Sequence, residues 1–322
     1  MHPLNSPIIR RTVVKMLRSQ AKKKEIIEYI LEHHPELLAN PVRRLRVRDC
    51  CNVLRFINYW EGKSKLYKAN FCKYDKFCLA CATRRSIKKI QQFVQGIYNN
   101  WLEKKNWYHI TLTIRHKKHH SLEELLDRIM EYKKELSQSV RNSKRITQNK
   151  ESFFAQFDGI VSSIEVTHTE KNGRHPHIHI LACSDVNVPI EWSKKLTTLS
   201  NRDLQKEWYK ITWDSYCVAM RKIDVTIKHF DRQWIAEVFK YAVKFSTLDV
   251  PQLVELIALQ KKRQYRFYAT TGIFRGRKND IQKKVMQQPI KWELPYLEAF
   301  EKSDFVFDEE SFVYRVSDDV KI

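Results

Sequence analysis

The run His175-Pro176-His177-Ile178-His179-Ile180-Leu181 constrains this chain more than any other segment. Imidazole and aliphatic side chains alternate with the period of a β-strand, in which successive side chains point to opposite faces. His175, His177 and His179 therefore share one face, and Ile178 and Ile180 turn to a core. Two imidazoles on one rigid edge can hold a divalent metal, and imidazole with a carboxylate suits manganese, zinc and similar ions, with open positions left for a substrate oxygen. The same spacing also describes three histidines on a solvated sheet surface, and a carboxylate opposite would separate the two readings. Glu165 lies on the preceding strand, 159–169, which is joined to the histidine strand around Lys171-Asn172-Gly173, and Asn-Gly signals a hairpin. An odd number of loop residues places Glu165 and Thr167 with the histidines, whereas an even number places His168 and Glu170 there. Both registers stay open at this level.

Apolar periodicity predicts helices over 22–38, 86–102, about 121–140, near 200–220 and over 231–248, and strands over 107–114 and 265–271. Residues 50–82 are short of long periodic segments. Strands alternating with helices, a hairpin among them, indicate an α+β fold with one sheet face covered. In the helix over 231–248, Ile235, Phe239, Ala242 and Val243 form an apolar face, while Glu237, Tyr241 and Lys244 stand on the opposite one. A phenol of pKa about 10 is ionised to only about one part in a thousand at neutral pH. A nucleophilic tyrosine therefore needs a cation or base beside it, which Lys244 or a metal would supply. A packing tyrosine with a satisfied hydroxyl is the alternative.

Charge narrows the partners. The 322 residues hold 59 Lys and Arg against 37 Asp and Glu, a net charge of +22. Such a field draws polyanions, nucleic acid first and an anionic membrane surface second. No apolar run reaches the roughly 18 to 20 residues that span a bilayer, and the start Met1-His2-Pro3-Leu4 lacks the pattern of a signal peptide. A soluble, intracellular protein with no membrane partner is expected. Residues 1–49 carry a net +6 and residues 301–322 a net −4, so a basic helical N-terminal region (1–49) and an acidic C-terminal tail (286–322) are expected, the tail either solvated or folded back in competition with nucleic acid.

Seven cysteines, an odd number in an intracellular chain, make a poor disulfide framework. Cys72, Cys78 and Cys81 follow C-x5-C-x2-C, with Cys50 and Cys51 upstream. Four thiolates so spaced suit a tetrahedral structural zinc site within a cysteine-rich segment, 50–86, with free buried thiols as the alternative. Cys183 and Cys217 read as core residues. Arg84, Arg85, Lys88 and Lys89 adjoin the segment and could grip phosphate.

In order along the chain, Thr111-Leu112-Thr113, then His-Pro-His-hydrophobe-His, then Glu237, Tyr241 and Lys244 on one helix resemble the rolling-circle replication initiators of small bacterial plasmids, members of the HUH endonuclease superfamily. The cysteine segment from Asp49 to Ser86 and the strand from Tyr268 to Gly276 match as well, so the resemblance covers about residues 45 to 280. Leu79 stands where the family often has proline, and Cys51 is an extra thiol. The resemblance implies an HUH nuclease domain over 87–285 with a central antiparallel sheet and flanking helices. It implies that His177 and His179 bind Mg²⁺ or Mn²⁺, with Glu165 favoured as third ligand, and that Cys50, rather than Cys51, joins the zinc site with Cys72, Cys78 and Cys81. Tyr241 would attack a DNA phosphodiester, leaving a 5′-phosphotyrosyl bond and a 3′-hydroxyl primer. Glu237 would activate the water that ends replication, and Lys244 would stabilise the phenolate or phosphate. Strand rejoining through the covalent bond needs no nucleoside triphosphate, in keeping with a sequence that has no Gly-x-x-x-x-Gly-Lys-Ser/Thr loop. The basic N-terminal residues and the finger with Arg84, Arg85 and Lys88 would grip duplex DNA, the other partners being a host helicase and replicative polymerase in the bacterial cytoplasm. A single-strand HUH transposase and a zinc-containing, non-catalytic DNA-binding regulator are the competing readings.

Overall fold

The computed structural model describes residues 7–59, 64–100, 102–145, 152–171, 173–194, 196, 198–215, 218–226, 232–239, 248–274 and 299–316. The helices are α1 (Pro7–His33), α2 (Pro41–Arg48), α3 (Leu79–Asn99), α4 (Leu122–Arg145), α5 (Arg202–Thr212), α6 (Arg232–Phe239) and α7 (Val250–Arg263). The strands are β1 (Val53–Tyr59), β2 (Ser64–Ala69), β3 (Asn106–Thr113), β4 (Gly159–Thr169), β5 (Gly173–Ser184), β6 (Glu191–Ser193), β7 (Thr198–Ser200), β8 (Val218–Ile223), β9 (Tyr268–Gly272), β10 (Ala299–Asp308) and β11 (Val313–Val316). The architecture is α+β with antiparallel sheets. The chain forms two compact units. One comprises the chain up to Arg85, the segment Val250–Val254 and the stretch bearing β10 and β11; the other runs from Ser86 to Asp249 and resumes at Glu255. No helix among the described residues is long and apolar enough to cross a membrane.

The larger unit is built on the sheet β8-β3-β5-β4-β9, antiparallel throughout. Three residues separate β4 from β5, and this odd count sets Glu165 opposite His177 and Thr167 opposite His175. Gly173 opens β5 with a φ of 71°, a left-handed conformation that favours glycine, and a Cβ there would stand 3.0 Å from the Lys118 carbonyl oxygen.

One face of this sheet is apolar along its length. Tyr108, Ile110 and Leu112 of β3, Ile164 and Val166 of β4, and Ile178 and Ile180 of β5 are all buried on it. The Tyr108 ring meets Phe157, and the Phe153–Gln156 turn, α4 and α5 assemble on that side. The histidine face is divided. Its apolar half, Trp107, Val161, Leu181 and Cys183, lies in one cluster with Ile90 and Ile97 of α3 and Ile235, Val238 and Phe239 of α6. Only the half nearer the hairpin is polar, so helices cover both faces of the sheet and not one. Cys183 is thus a core residue, whereas Cys217 lies outside the described residues.

Elsewhere the elements differ from the periodicity reading for local reasons. Helix α1 begins at Pro7, well before residue 22; Ile9 and Val13 are buried, but Arg10, Arg11, Lys15 and Arg18 dilute the apolar signal. The helix expected near 200–220 stops at Thr212, where Trp213 adopts a left-handed φ of 60°. The chain then returns as strand β8, with Val218, Met220 and Ile223 buried.

The smaller unit holds the sheet β11-β10-β1-β2 beside α1. Phe56 and Phe305 meet edge to face with ring centroids 5.5 Å apart, and Leu54 and Phe56 are fully buried. Over 299–316 the acidic segment is therefore no free tail but supplies two strands. Phe305 and Tyr314 are buried within it, which net charge alone conceals.

Forcing a side chain onto the left-handed backbone at Gly173 costs about 1–2 kcal/mol. Gly173→Ala is expected to lower stability by that amount, read as a fall in the urea midpoint against the unsubstituted chain.

Candidate active site and cysteine cluster

Cross-strand pairing brings the polar half of the histidine face together. Thr111 stands opposite His179 and Thr113 opposite His177. His179 is buried between two partners, its Nε2 2.9 Å from Glu165 Oε2 and its Nδ1 3.3 Å from Thr111 Oγ1. With the Glu165 carboxylate accepting from Nε2–H, Nδ1 accepts from the threonine hydroxyl. His177 repeats the pattern, with Thr113 Oγ1 3.0 Å from Nδ1 and Thr167 Oγ1 3.5 Å from Nε2. A hydroxyl both donates and accepts, so each threonine can serve either imidazole tautomer. Such partners orient a histidine and tune it as a ligand.

Helix α6 brings in a second carboxylate. Burial of Ile235, Val238 and Phe239 in the core leaves Glu237 half-buried and turned toward β4 and β5. One ligand atom each from Glu165, His179 and Glu237 lies within 4.8 Å of the other two, a group able to hold a metal ion. His177 is not one of these three, although its ring centroid is 6.0 Å from that of His179. His168 and Glu170, the alternatives from the other register, are not among them either. His175 lies between His116, ring centroids 4.2 Å apart and tilted, and His177, met edge to face at 4.1 Å. Burial, helped by the neighbouring His116, pushes its pKa down to about 4.

The second group is the cysteine tetrad in the smaller unit. The sulfurs of Cys50, Cys72, Cys78 and Cys81 all lie within 4.8 Å of one another and are buried. The closest pairs are Cys72–Cys81 at 3.4 Å and Cys50–Cys81 and Cys50–Cys78 at 3.5 Å. With Zn–S bonds of about 2.3 Å a tetrahedral edge is about 3.8 Å, so the donor set fits a thiophilic ion. Amide N–H groups point inward: Cys72 donates to Cys50 Sγ at 3.2 Å, Lys73 to Cys81 Sγ at 3.4 Å and Tyr74 to Cys72 Sγ at 3.4 Å. Lys73 takes a left-handed φ of 67° at this bend. Hydrogen bonds from Cys50 and Cys72 hold Cys78 and Cys81 below the ordinary thiol range. Cys51 lies outside the tetrad, its sulfur 3.6 Å from that of Cys50.

The profile of the replication protein family, Rep_1, matches residues 63–304. The chain belongs to this family of replication proteins. Its relatives include the protein rep of Streptococcus pneumoniae serotype 2, 30% identical over 64% of this chain and 61% of that protein. That of Staphylococcus aureus is 30% identical over 72% of this chain and 91% of the relative, and that of a Bacillus species is 33% identical over 61% and 64%. The matched stretch thus spans less than two thirds of the pneumococcal relative and 40% of the Lentilactobacillus hilgardii one. No solved structure gives a significant match.

Tyr241 and Lys244 of this replication protein lie outside the described residues. Of the basic residues adjoining the cysteine segment, Arg84 is exposed with its guanidinium 4.3 Å from the Phe71 ring centroid. Arg85 pairs with Asp75 at 2.6 Å, and Lys88 is exposed on α3. Two site residues escaped the sequence reading. Arg221 of β8 lies 3.8 Å over the Trp234 ring, and Trp234, one turn before Glu237, adjoins His109, whose ring stacks on His179. Arg221 lies on a strand that periodicity did not reveal, and Trp234, on the expected helix, gains its place from the packing of α6 on the histidine face.

A histidine whose folded pKa lies below its unfolded value stays neutral when folded, and the unfolded chain takes up the proton first. Stability contributed by His175 is therefore complete above about pH 6.5 and is lost as pH falls toward 4. An NMR titration of the His175 Cε1–H resonance should show a midpoint near pH 4; a midpoint near 6.5 would refute the burial effect.

Proposed function

We propose that the chain initiates rolling-circle replication by nicking and rejoining one strand of its origin through Tyr241. The observation that carries this reading is the convergence of Glu165, His179 and Glu237 ligand atoms within 4.8 Å, on the face that also bears His177. Membership of the replication protein family and the name protein rep of its relatives favour initiation over transposition.

The chemistry follows from the residue types. The Tyr241 hydroxyl oxygen attacks phosphorus, the bond from phosphorus to the 3′-oxygen breaks, and the phosphate stays joined to the tyrosine and the 5′ strand. The phenol proton leaves by way of a base, the departing 3′-oxygen is protonated, and the 3′-hydroxyl so formed is the end that a polymerase extends. A divalent cation such as Mg²⁺ or Mn²⁺, held by Glu165, His179 and His177, would neutralise charge that builds on the scissile phosphate. Thr111 and Thr113 keep the two imidazoles oriented. Glu237 is near enough to Glu165 and His179 to share that ion or to take a proton from water in the terminating step. Lys244 supplies positive charge to the phenolate or phosphate. Arg221, its guanidinium carbon 3.8 Å from the Trp234 ring centroid, supplies N–H donors for a neighbouring phosphate. The cysteine tetrad binds structural zinc, and Arg84, Arg85 and Lys88 contact phosphates.

Incubated with Mn²⁺ and oligonucleotides tiled across the DNA flanking its gene, the chain should form a protein–DNA adduct that survives denaturation. Tyr241→Phe should abolish it, and an adduct persisting in that variant would overturn the nucleophile assignment. Glu237→Gln should still form adduct but release it slowly.

Cys78→Ser should lower zinc content and thermal stability together. Full zinc retention by atomic absorption would count against the tetrad as the site.

A further inference from the structure

Helix α2 is short, basic and fastened at both ends. Asn40 caps it by accepting the Arg43 amide at 2.9 Å, with Pro41 in the first turn. At the other end the buried ammonium of Lys23 donates to the carbonyls of Arg48, at 2.5 Å, and Cys50, at 3.0 Å. Val47 is fully buried beneath it. At 3.6 residues per turn, the side opposite Val47 carries Val42 and Leu45, 62% and 46% exposed. Arg43 and Arg46 border this ridge on one side, Arg44 and Arg48 on the other. The arginines are held in place: Arg43 and Arg46 both lie over the Tyr74 ring, at 5.4 and 5.7 Å, and Arg48 meets Asp49 at 2.8 Å. Arg43 Nε is buried with no hydrogen-bond partner among the described residues. No acid occurs between Glu36 and Asp49, so of the four arginines only Arg48 has an acid beside it in sequence. Arg44 and Arg46 are exposed, and no acid stands three or four residues from either within the helix.

We propose that α2 docks along the major groove of duplex DNA, its aliphatic ridge toward the groove floor and its two arginine rows on the phosphate rims. A helix with its side chains is about 10–12 Å across, and the major groove of B-form DNA is about 12 Å wide. Val42 and Leu45 offer the apolar contact that thymine methyl groups accept, and guanidinium groups suit phosphate oxygens. A ridge of two residues is too small for a membrane-surface helix, which buries a continuous apolar face. A second copy of a chain with net charge +22 would bring like charge against it. The inference rests on the chain acting on DNA and assigns duplex docking to the unit that does not contain Glu165 and His179.

The test uses the full chain and two fluorescein-labelled probes of the same mixed sequence, a duplex three helical turns long and its single strand, titrated by anisotropy over a range of NaCl. Arg44→Gln with Arg46→Gln should weaken duplex binding about tenfold or more. It should also flatten the plot of log affinity against log salt by about 2, one for each phosphate no longer neutralised. Single-strand affinity and formation of the Mn²⁺-dependent adduct should not change. Arg44→Lys with Arg46→Lys keeps the charges and should retain most of the salt slope, separating removal of charge from misfolding. Wild-type duplex affinity in the glutamine variant, or equal weakening on both probes, would overturn the proposal. So would Leu45→Ser converting a dimer to a monomer with duplex binding intact, since the ridge would then join copies of the chain. Failure of the wild-type chain to form adduct, with α2-dependent duplex binding preserved, would sink the nicking reading and leave this one standing.

Discussion

The register of β4 against β5 is the constraint on which the candidate site depends. Because side chains alternate strictly along a strand, a slip of one residue would send every member of the polar set to the opposite face. The three-residue connection and the left-handed Gly173 hold Glu165 opposite His177. The same parity carries through β3, so Thr111 and Thr113 reach the Nδ1 atoms of His179 and His177. It also places Leu181 and Cys183 on the histidine face, where α3 and α6 cover them. One strand face is thus core at one end and ligand field at the other, and the burial of Ile235, Val238 and Phe239 positions Glu237.

The cysteine tetrad plays the corresponding part in the smaller unit. A small sheet and two helices bury limited apolar area, and cross-linking through a metal ion would offset that shortage. Four thiolates around a doubly charged ion would leave a net negative charge. Inward amides and the buried Lys23 ammonium would answer it, while the same ammonium closes the end of α2. The environment of the cluster and the rigidity of the arginine helix therefore share a single side chain.

Much of the histidine site was legible because it rests on periods of two. His175 to His179, Thr111 to Thr113 and the Asn172-Gly173 turn signal state their faces locally. The parity of pairing does not lie in any one strand, so Glu165 is separated from His168 and Glu170 only by the true strand ends and the loop between them. Residues 50–86 were legible as a cysteine framework but not as β1 and β2, because short strands packed on distant partners show little periodicity of their own. Strand β8, with Arg221, was hidden by a helical pattern that ends at Trp213, where a left-handed residue breaks it. The strands β10 and β11 were masked by their charge.

The position of β10 has a consequence for how the protein is made. It lies between β11 and β1, so the N-terminal hairpin of β1 and β2 is a two-stranded ribbon until the last strands are synthesised, and such a ribbon is marginal by itself. Translation at about 5–20 residues per second puts tens of seconds between β1 and β10. The larger unit, whose sheet is drawn entirely from the intervening chain, can fold within that interval, while the edge of β1 waits open to any other strand in solution. The ribosome therefore delivers the sheet with the histidine strand first and the sheet beside the cysteine tetrad last, and a ribosome that stalls in between releases a polypeptide with one edge unpaired.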